Sequence, residues 1–502
     1  MIRKIMYGAS GLGATLFAAG AAWAQDTAAA VSTAAPAAAA AVAAPVAAAA
    51  ASPIPKAMVD KGDNTWMLVS TLLVLMMSVP GLALFYGGLV RTKNMLSVLT
   101  QVLMIVCVVG LIWVCWGYSE TFTGYSQFVG NPFTKLFLKG VDANAQAATF
   151  SNGVYIPELT YVLFQMTFAM ITPALIVGSF AERVKFSPLM LFVALWVTLV
   201  YFPIAHMVWY WEGPDSVATA ALKGKAALDA ANADAGWLFA KGALDFAGGT
   251  VVHINAGIAG LMGCLVIGKR IGYPNEPMPP HSLTMTMIGA SLLWVGWFGF
   301  NAGSNLEASG VASVAFMNTM IATCAAAVSW LLTEQIVRGK PSLLGAASGV
   351  VAGLVAVTPA SGYAGTMGAV ILGLMVSPIC FFFVSKVKNK FGYDDSLDVF
   401  GVHCIGGITG AIMTGVLDNP AFGGQGIADY SSKPGQMVAG TYDMAAQVWI
   451  QCQGVLTTLI WSGVVSFILF FVIDKVWGLR VSKDVELEGL DIGEHGERAY
   501  HY

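Results

Sequence analysis

The sequence is poor in charge. Only 11% of its 502 residues are charged, whereas 57% are hydrophobic, and soluble globular proteins carry roughly a quarter charged residues. That shortage excludes a cytosolic enzyme, a nucleic-acid-binding protein and a disordered scaffold. The 25 basic and 28 acidic residues leave a net charge of −3, so the sequence also lacks the polybasic signature of proteins that bind nucleic acid or anionic lipid. What remains is a polytopic membrane protein built from helices.

Cysteine is scarce as well, with seven in the chain and no C-x-x-C pair. Six of them lie well inside apolar runs, and Cys452 lies near the start of one. Neither a zinc site nor a disulfide framework is indicated, and we interpret the cysteines as small buried apolar side chains. We expect no metal and no cofactor. A bis-histidine haem is a weak alternative, because nothing else in the sequence is typical of a haem pocket.

The first 24 residues have the features of a secretory signal peptide. Arg3 and Lys4 precede a short stretch of small and apolar residues, and residues 22–24 read Ala-Trp-Ala, which fits a cleavage site. The alternative is a first transmembrane helix, which the shortness of the stretch and its richness in glycine and alanine disfavour. Cleavage would place the mature N-terminus outside the cytoplasm. We interpret 25–61 as a low-complexity linker rich in alanine and proline, with no assigned function.

Eleven apolar segments are long enough to cross a bilayer, which requires about 20 mostly apolar residues. The predicted spans are 65–89, 94–118, 157–180, 187–210, 246–268, 282–301, 311–335, 342–359, 364–385, 399–417 and 447–475. The eighth and tenth are short and rich in glycine. These segments define a membrane domain at 62–475, which a charged tail at 476–502 follows. The expected fold is therefore an all-α integral membrane protein with eleven transmembrane helices.

Basic residues are distributed unevenly between the loops. If the first loop lies inside, five short inside loops hold eleven basic residues, whereas the alternate and longer loops hold six. The inside set is Arg91, Lys93, Arg183, Lys185, Lys269, Arg270, Arg338, Lys340, Lys386, Lys388 and Lys390. The positive-inside rule then places the N-terminus outside and the C-terminus in the cytoplasm. An odd number of spans and a cleaved signal peptide agree with that arrangement.

The fifth and tenth spans share the pattern H-x-x-x-G-I-x-G, which begins at His253 in one and at His403 in the other. Spans 1–5 and 6–10 would then be two copies of one unit, with the eleventh as an extra C-terminal helix. Because each copy has an odd number of spans, the second copy must be inverted in the membrane. Inverted repeats are common in transporters, where the binding site lies at the interface between the repeats.

Few ionisable residues lie in the spans. The clear examples are His206, His253 and His403, with Asp245 and Asp398 at span starts. Such residues are costly in a bilayer and usually face a pathway or a partner. Histidines that only tie helices together remain the alternative. The equivalent positions of His253 and His403 in the repeat favour a role in a pathway.

Aromatic residues cluster at one end of the third, fourth and sixth spans. They are Phe164, Phe168, Trp209, Trp297, Phe298 and Phe300. Aromatic residues at span ends usually form the interfacial belt, but here Ser304 and Asp245 fall at the same level. Rings that surround one hydroxyl can bind a small cation, each contributing about 0.5–2 kcal/mol.

Several motifs resemble those of the ammonium transporter family, which comprises the Amt, MEP and Rhesus proteins. These motifs are GALDFAGGTVVHIN at 242–255, WFGFNAGS at 297–304, DVFGVH at 398–403, FAERVKFS at 180–187 and RGKPSLLG at 338–345. The likeness extends from about residue 62 to about residue 500, and the tail is similar to that of bacterial members. The alanine-rich segment near the N-terminus and the long loop at 210–242 depart from the family pattern, but neither contains these motifs.

The resemblance implies a homotrimer with one pore in each subunit, in the inner membrane of a bacterium. It also implies that ammonium, with methylammonium as an analogue, binds at an outer site formed by Phe164, Phe168, Trp209 and Ser304. Phe168 and Phe300 would be the stacked rings of a gate, and His253 and His403 the paired histidines of the pore. Asp245 would support the outer site without touching the ion, and Trp297 would line the pore wall. A PII signalling protein is a possible partner at the cytoplasmic face.

A physical mechanism follows from the difference between ammonium and potassium. The two cations have similar charge and size, but ammonium donates directional hydrogen bonds and can lose a proton. A bare cation in an apolar pore faces a desolvation cost of several kcal/mol, which neutral ammonia avoids. We therefore expect deprotonation at the gate and conduction of ammonia past the histidines, and the family resemblance implies that the proton is transferred separately. The alternatives are an ammonium sensor with little net flux and a sodium-coupled transporter; an enzyme is not expected.

Overall fold

The computed structural model describes residues 58–500. The predicted signal peptide at 1–24 and most of the predicted linker at 25–61 lie outside the described residues. The chain is mainly helical. Its helices, numbered in chain order, are α1 (Lys61–Leu89), α2 (Thr92–Phe122), α3 (Glu158–Phe180), α4 (Phe186–Trp209), α5 (Pro214–Leu222), α6 (Lys225–Ala231), α7 (Trp237–Ala240), α8 (Gly249–Ile267), α9 (Leu283–Gly303), α10 (Gly310–Arg338), α11 (Leu343–Val357), α12 (Thr366–Phe391), α13 (Phe400–Leu417), α14 (Met444–Val476), α15 (Lys483–Glu488) and α16 (Leu490–His495).

Ten of the helices within residues 58–500 are long and apolar enough to cross a membrane, so the chain is a multi-pass helical membrane protein. Each predicted span coincides with one helix, and most boundaries agree within a few residues. The eighth predicted span corresponds to α11, which has 15 residues. At 1.5 Å per residue this helix is about 22 Å long, shorter than a bilayer core. The count of eleven crossings and the inverted repeat therefore remain predictions.

Short strands cover one end of the helices. β1 (Met58–Val59) pairs in parallel with β3 (Val154–Pro157), and β2 (Gln146–Ala148) pairs with β3 in the antiparallel direction. β4 (Ala428–Asp429) and β5 (Val438–Ala439) form a separate antiparallel pair. β1 and the first residue of α1 lie within the segment predicted as linker.

The connections gather on two sides of the helix layer, for which we use two names. The loop face contains 123–157, 210–248 and 418–443. The tail face contains 90–93, 268–282 and 476–500, where the C-terminal tail packs against the helix ends. Asp491 in α16 accepts a hydrogen bond from the Ser97 amide at 2.8 Å, and Asn94 accepts one from the Leu490 amide at 2.9 Å.

Side-chain caps set where several helices begin. Ser282, Ser342 and Asp443 each accept a hydrogen bond from the backbone amide three residues later, at the starts of α9, α11 and α14. Such a cap satisfies one of the four amides that the first turn of a helix leaves unpaired. In a membrane protein this satisfaction matters more, because no water is available in the hydrocarbon region.

α11 ends in a turn that is buried within the protein. Thr358 and Ser361 are both fully buried. Nδ2 of Asn318, in α10, donates hydrogen bonds to the carbonyl oxygens of Ser361 at 2.9 Å and of Ala364 at 2.7 Å. Irregular backbone at membrane depth is tolerated where protein groups satisfy its polar atoms. Asn318 supplies that satisfaction, and α11 can therefore stop short of the loop face.

A buried network of charges closes the tail face. Arg270 forms a bidentate pair with Asp394, with nitrogen–oxygen distances of 2.9 and 2.8 Å, and lies 3.1 Å from Glu182. Arg91 also binds Glu182, at 2.8 Å. Burial alone would raise the pKa of each carboxyl group, but the neighbouring guanidinium groups together outweigh it. Arg270 and Arg91 hold the pKa of Glu182 below its ordinary value, and Arg270 and Arg183 do the same for Asp394. Both acids are therefore ionised, and the pairs join the loops that precede α2, α4, α9 and α13.

Arg270→Gln should destabilise the protein strongly. Without the guanidinium, two buried carboxylates lose their main counter-charge, a loss that typically costs about 3–5 kcal/mol. The measurement is the apparent melting temperature in detergent at pH 7. The matched control is Lys225→Gln, because the Lys225 and Asp229 side chains are 85% and 62% exposed and form a surface pair. Equal melting temperatures for the two variants would contradict a stabilising role for the network.

The stabilisation that Arg270→Gln removes should depend on pH. Because the folded pKa values of Glu182 and Asp394 are lowered, their contribution to stability is present above the ordinary carboxyl pKa and is lost as the pH falls through the folded values. The difference in melting temperature between wild type and Arg270→Gln should be full at neutral pH. It should narrow below about pH 4, where the carboxyl groups of the unfolded chain are already protonated.

Candidate functional site

Two histidines meet in the interior. His253 lies in a π-helical segment at the start of α8, Gly249–Ile254, and His403 lies in a π-helical segment at the start of α13, Phe400–Cys404. Their Nδ1 atoms are 3.3 Å apart and the two rings are nearly parallel, at 21°. Both residues are buried, with 1% and 5% of their surface exposed. A π-helical turn changes the direction of side chains within a helix and is frequent at functional sites.

The glycine of each H-x-x-x-G pattern allows the two histidine-bearing segments to approach. A Cβ atom added to Gly257 would lie 2.5 Å from the backbone nitrogen of Cys404, and one added to Gly407 would lie 2.9 Å from the carbonyl oxygen of Gly249. Both distances are too short for a real side chain. The shared sequence pattern therefore has a shared structural use, since each glycine permits the contact of α8 with α13.

The histidine pair is neutral in the simplest arrangement that its hydrogen bond allows. Between two Nδ1 atoms, one nitrogen donates a proton and the other accepts it. Nε2 of His253 has no hydrogen-bond partner among residues 58–500. That atom can therefore offer a hydrogen bond to a small polar molecule that reaches the pair.

Two stacked phenyl rings lie next to the pair. The ring centroids of Phe168 and Phe300 are 4.1 Å apart, and the rings are inclined by 19°. Phe300 also contacts His253, with ring centroids 6.1 Å apart. Both phenylalanines are fully buried. The stacked pair thus separates the histidines from the aromatic residues nearer the loop face.

On the other side of these rings lies a cup of aromatic residues. Phe164 contacts Phe168 with centroids 5.0 Å apart, and Trp209 meets Phe168 edge-on at 5.9 Å. Ser304, four residues after Phe300, lies at the end of α9. We call Phe164, Phe168, Trp209 and Ser304 the aromatic cup.

The aromatic cup offers π faces and lone pairs, because its polar protons are already used. The Ser304 hydroxyl donates to the carbonyl oxygen of Phe300 at 2.8 Å, and Nε1 of Trp209 donates to the carbonyl oxygen of Asp245 at 2.9 Å. Phe164 and Phe168 are each 1% exposed, whereas Trp209 and Ser304 are partly exposed, and the Ser304 oxygen keeps lone pairs that can accept hydrogen bonds. Such a surface attracts a small cation that can donate hydrogen bonds.

Asp245 is an anchor for the start of α8. Its carboxylate accepts four backbone hydrogen bonds: Oδ1 from the amides of Gly248 at 2.9 Å and Gly249 at 2.6 Å, and Oδ2 from those of Thr250 at 2.9 Å and Val251 at 3.0 Å. A carboxylate at a helix N-terminus also interacts favourably with the helix dipole. Asp245 thus fixes the turn that carries His253, and through its own carbonyl oxygen it fixes Trp209.

A narrow cavity continues from the stacked rings past the histidines. Its lining is apolar apart from the two imidazoles and the indole nitrogen of Trp297. The lining residues are Met77, Leu82, Phe85, Ile171, Leu175, Val252, His253, Leu293, Trp297, Phe300, Val351 and His403. The indole of Trp297 stacks on His253, with centroids 5.4 Å apart and a 20° angle between the rings.

The other ionisable residues singled out in the sequence lie apart from this cavity. Both ring nitrogens of His206 lie 2.8 Å from backbone carbonyl oxygens, those of Thr121 and Ser126, so this histidine ties α4 to the end of α2 and its following loop. Asp398 forms an ion pair with Lys388 at 2.7 Å, near the tail face. Of the three intramembrane histidines, the cavity therefore holds the two that share the repeat pattern.

Sequence reasoning missed the apolar lining and the residues that hold Trp297. Met77, Phe85 and Val351 look like any other apolar residue of a membrane span, and no pattern distinguishes them. Thr358 binds the indole of Trp297, and its signal in the sequence is weak: it is a polar residue directly before Pro359 at the end of an apolar run. The residues described contain no group of three or more histidine, cysteine or acidic side chains that could hold a metal ion.

Comparison with known proteins identifies relatives along almost the whole chain. The model of a family described as the Ammonium Transporter Family matches residues 65–500. An ammonium transporter from Aquifex aeolicus is 44% identical over 446 residues, which is 89% of this chain and 95% of that protein.

Solved structures share the fold. The crystal structure of Saccharomyces cerevisiae Mep2 superposes with a TM-score of 0.72 and 30% identity, covering 85% of this chain and 88% of that one. A structure titled Sensor Amt Protein reaches a TM-score of 0.73 over 86% of this chain and 98% of that one. The latter is 24% identical, and the likeness concerns the fold alone.

Asp245→Asn should lower stability and loosen the start of α8. The amide retains one acceptor oxygen, so two of the four backbone amides lose their partner, at about 1–3 kcal/mol for each buried unpaired group. We expect a clearly lower apparent melting temperature in detergent. Asp229→Asn, at a side chain that is 62% exposed, is the matched control. If Asp245→Asn and the control had the same melting temperature, the four hydrogen bonds would be dispensable for stability.

Proposed function

The chain belongs to the ammonium transporter family, and on that premise we propose that it takes up ammonium and passes it across the membrane after removing a proton. The aromatic cup recruits the cation from the loop face. Phe168 and Phe300 form a gate at which ammonium transfers its proton to the hydrogen-bonded pair of His253 and His403 behind it. Ammonia then passes His253 and His403, and the proton crosses separately.

Recruitment at the aromatic cup is supported by the chemistry of its surface. Ammonium donates hydrogen bonds and carries a positive charge, whereas the cup presents ring faces and the lone pairs of the Ser304 hydroxyl. Each ring contributes about 0.5–2 kcal/mol to binding a cation. That attraction is enough to collect ammonium at the entrance, but it also applies to potassium and gives little selectivity.

In this proposal most of the selectivity arises at the gate. The observation that supports this is the apolar cavity directly behind the stacked rings. Among the lining residues there is no acidic side chain that could neutralise a cation. The effective cost of moving a charge into such surroundings is several kcal/mol, which exceeds what the cup offers. Ammonium avoids this cost by giving up its proton, which crosses separately, and potassium has no proton to lose.

The histidine pair provides a polar station for ammonia. One ring nitrogen of the pair donates and another accepts, so ammonia can exchange hydrogen bonds with the imidazoles without meeting a fixed charge. A proton that enters the pair would be shared, because the two rings are hydrogen-bonded and titrate together. We propose this pair as the relay by which the proton crosses, which would make transport electrogenic.

The loop face is the outer face in this proposal, and the tail face is cytoplasmic. Support comes from the basic loops between spans, which collect on the tail face. We also propose a homotrimer in a bacterial inner membrane, with a cleaved signal peptide and with the tail face as the docking site for a PII signalling protein. The measurement for assembly is the mass of the detergent-solubilised complex.

Purified protein in liposomes tests the main proposal. Ammonium should drive a current, methylammonium a smaller one, and potassium none. Equal currents for potassium and ammonium would rule out selection by deprotonation. Binding of ammonium without any flux would instead favour the sensor, and a requirement for sodium would favour the sodium-coupled transporter.

Replacing both histidines by leucine should abolish the ammonium-dependent current, because the double variant removes the polar station and the proton relay together. The measurement is solid-supported membrane electrophysiology on proteoliposomes. His281→Gln is a suitable control, since His281 lies in a loop of the tail face, where its Nδ1 contacts the Val90 carbonyl oxygen at 2.9 Å. A selective current of wild-type size in the double variant would count against the relay.

Phe300→Ala should weaken the gate. Loss of the ring opens a path between the aromatic cup and the histidines, so methylammonium should enter faster and potassium should begin to leak. Radiolabelled methylammonium uptake and potassium flux measure the two effects. Phe298→Ala is a matched control on the same helix, because the Phe298 ring stacks on Phe316 and is not among the lining residues. Unchanged uptake and leak in Phe300→Ala would indicate that Phe300 only packs.

A further inference from the structure

The indole of Trp297 is the largest ring in the cavity wall, and it touches both parts of the proposed machinery. It stacks on His253 and contacts Phe300, with centroids 5.6 Å apart and a 56° angle between the rings. The residue is 2% exposed. Its orientation therefore determines the space between the gate and the histidine pair.

The polar atom of that indole has one hydrogen-bond partner. Nε1 of Trp297 donates to Oγ1 of Thr358 at 2.8 Å. Thr358 follows the last residue of α11 and is fully buried. The short length of α11 has a consequence here, because the helix ends where its C-terminal threonine can reach the cavity wall.

The Thr358 hydroxyl is itself held from two helices. Its proton has two acceptors, the carbonyl oxygen of Leu354 at 2.8 Å and Oδ1 of Asn301 at 3.2 Å. Asn301 in turn donates from Nδ2 to Oγ1 of Thr319 at 2.9 Å, and Thr319 donates to the carbonyl oxygen of Ala315 at 2.7 Å. The chain of hydrogen bonds thus runs from the cavity wall through α9 and α11 to α10.

The four side chains of this chain of hydrogen bonds, those of Trp297, Thr358, Asn301 and Thr319, are buried, and each donates at least one hydrogen bond. A buried network whose members are all satisfied rigidifies the surrounding structure, and a partly satisfied one is costly. Removing the Thr358 hydroxyl would leave the indole N–H without an acceptor in an apolar wall. The indole would then gain by turning toward another carbonyl oxygen, and it would leave its stack on His253.

We propose that Thr358 is a positioning residue for conduction: its hydroxyl fixes the indole of Trp297 against His253 and so sets the width of the passage at the histidine pair. This inference rests on the proposed function, in which the substrate passes that point. Asn301 and Thr319 orient Thr358 and belong to the same hydrogen-bond network.

The test compares Thr358→Val with Thr358→Ser. Valine has nearly the same shape but no hydroxyl, whereas serine keeps the hydroxyl. The readout is the ratio of methylammonium to ammonium current in proteoliposomes, together with the apparent melting temperature. We expect valine to change the ratio by about tenfold, as loss of one buried hydrogen-bond partner implies, and serine to restore it to within about twofold.

A double-variant experiment separates positioning from general damage. Trp297→Phe removes the indole N–H, so Thr358→Val should change the current ratio much less in that background than in wild type. An equal effect of Thr358→Val in both backgrounds would overturn the proposal. So would an unchanged ratio in Thr358→Val, or a serine variant as impaired as the valine variant.

A structure of Thr358→Val by cryo-electron microscopy tests the inference without transport. We expect the indole to be displaced from its parallel stack on His253, and an unmoved indole would overturn the positioning role. This measurement also separates failure of the proposed function from failure of the positioning role of Thr358. If wild-type protein carries no ammonium, the proposed function fails, while the position of the indole still decides whether Thr358 holds it.

Discussion

The cost of placing a charge in a narrow apolar passage governs where polar groups lie in this protein. Strong ion pairs are found at the tail face, where Arg270 meets Asp394 and Glu182. The cavity between the two faces is lined by apolar side chains, with two imidazoles and one indole nitrogen as its polar groups. In the proposed mechanism several kcal/mol oppose a bare cation there, whereas about 0.5–2 kcal/mol for each ring of the aromatic cup attracts it at the entrance. The comparison of these magnitudes is what favours a substrate that can change its charge.

Irregular backbone segments position the site residues within the membrane-spanning region, where regular helices would satisfy the backbone polar groups more simply. His253 and His403 lie in π-helical turns, and α11 stops at a buried turn that Asn318 satisfies. At the turn of His253 and at the turn after α11, protein side chains bind backbone polar atoms, as a membrane requires. Asp245 shows the principle most clearly, because four backbone amides at the start of α8 share one carboxylate. The same anchor holds Trp209 and the turn that carries His253, so it couples the aromatic cup to the histidine pair.

Most of the helix layout could be predicted because a membrane span leaves a long apolar run in the sequence, and the bounds of α4 and α13 agree with their predicted spans within one residue. The paired histidines and their glycines were also recognisable, since the pattern occurs twice. α11 was predicted from the same kind of run, but the buried turn after it depends on Asn318 of a different helix. Thr358 illustrates the limit. A threonine in a helix usually bonds the carbonyl four residues before it, as Thr358 does with Leu354, and its contact with Trp297 is a tertiary one.

The hydrogen-bonding character of the passage changes along its length in the order that a proton-losing substrate requires. At the aromatic cup, the protons of Ser304 and Trp209 are used internally, so this surface accepts hydrogen bonds and suits the protonated cation. At the histidine pair, one nitrogen donates and another accepts, so this point suits ammonia, which has a lone pair and three N–H bonds. The stacked rings of Phe168 and Phe300 separate the two environments. A potassium ion would be accommodated in the first environment and would find no compensating group in the second, because an imidazole pair that shares one proton carries no negative charge. In the proposed mechanism, selection by acid–base chemistry therefore requires no fine adjustment of pore diameter for potassium, and the width at Trp297 can serve to discriminate between ammonia and larger amines.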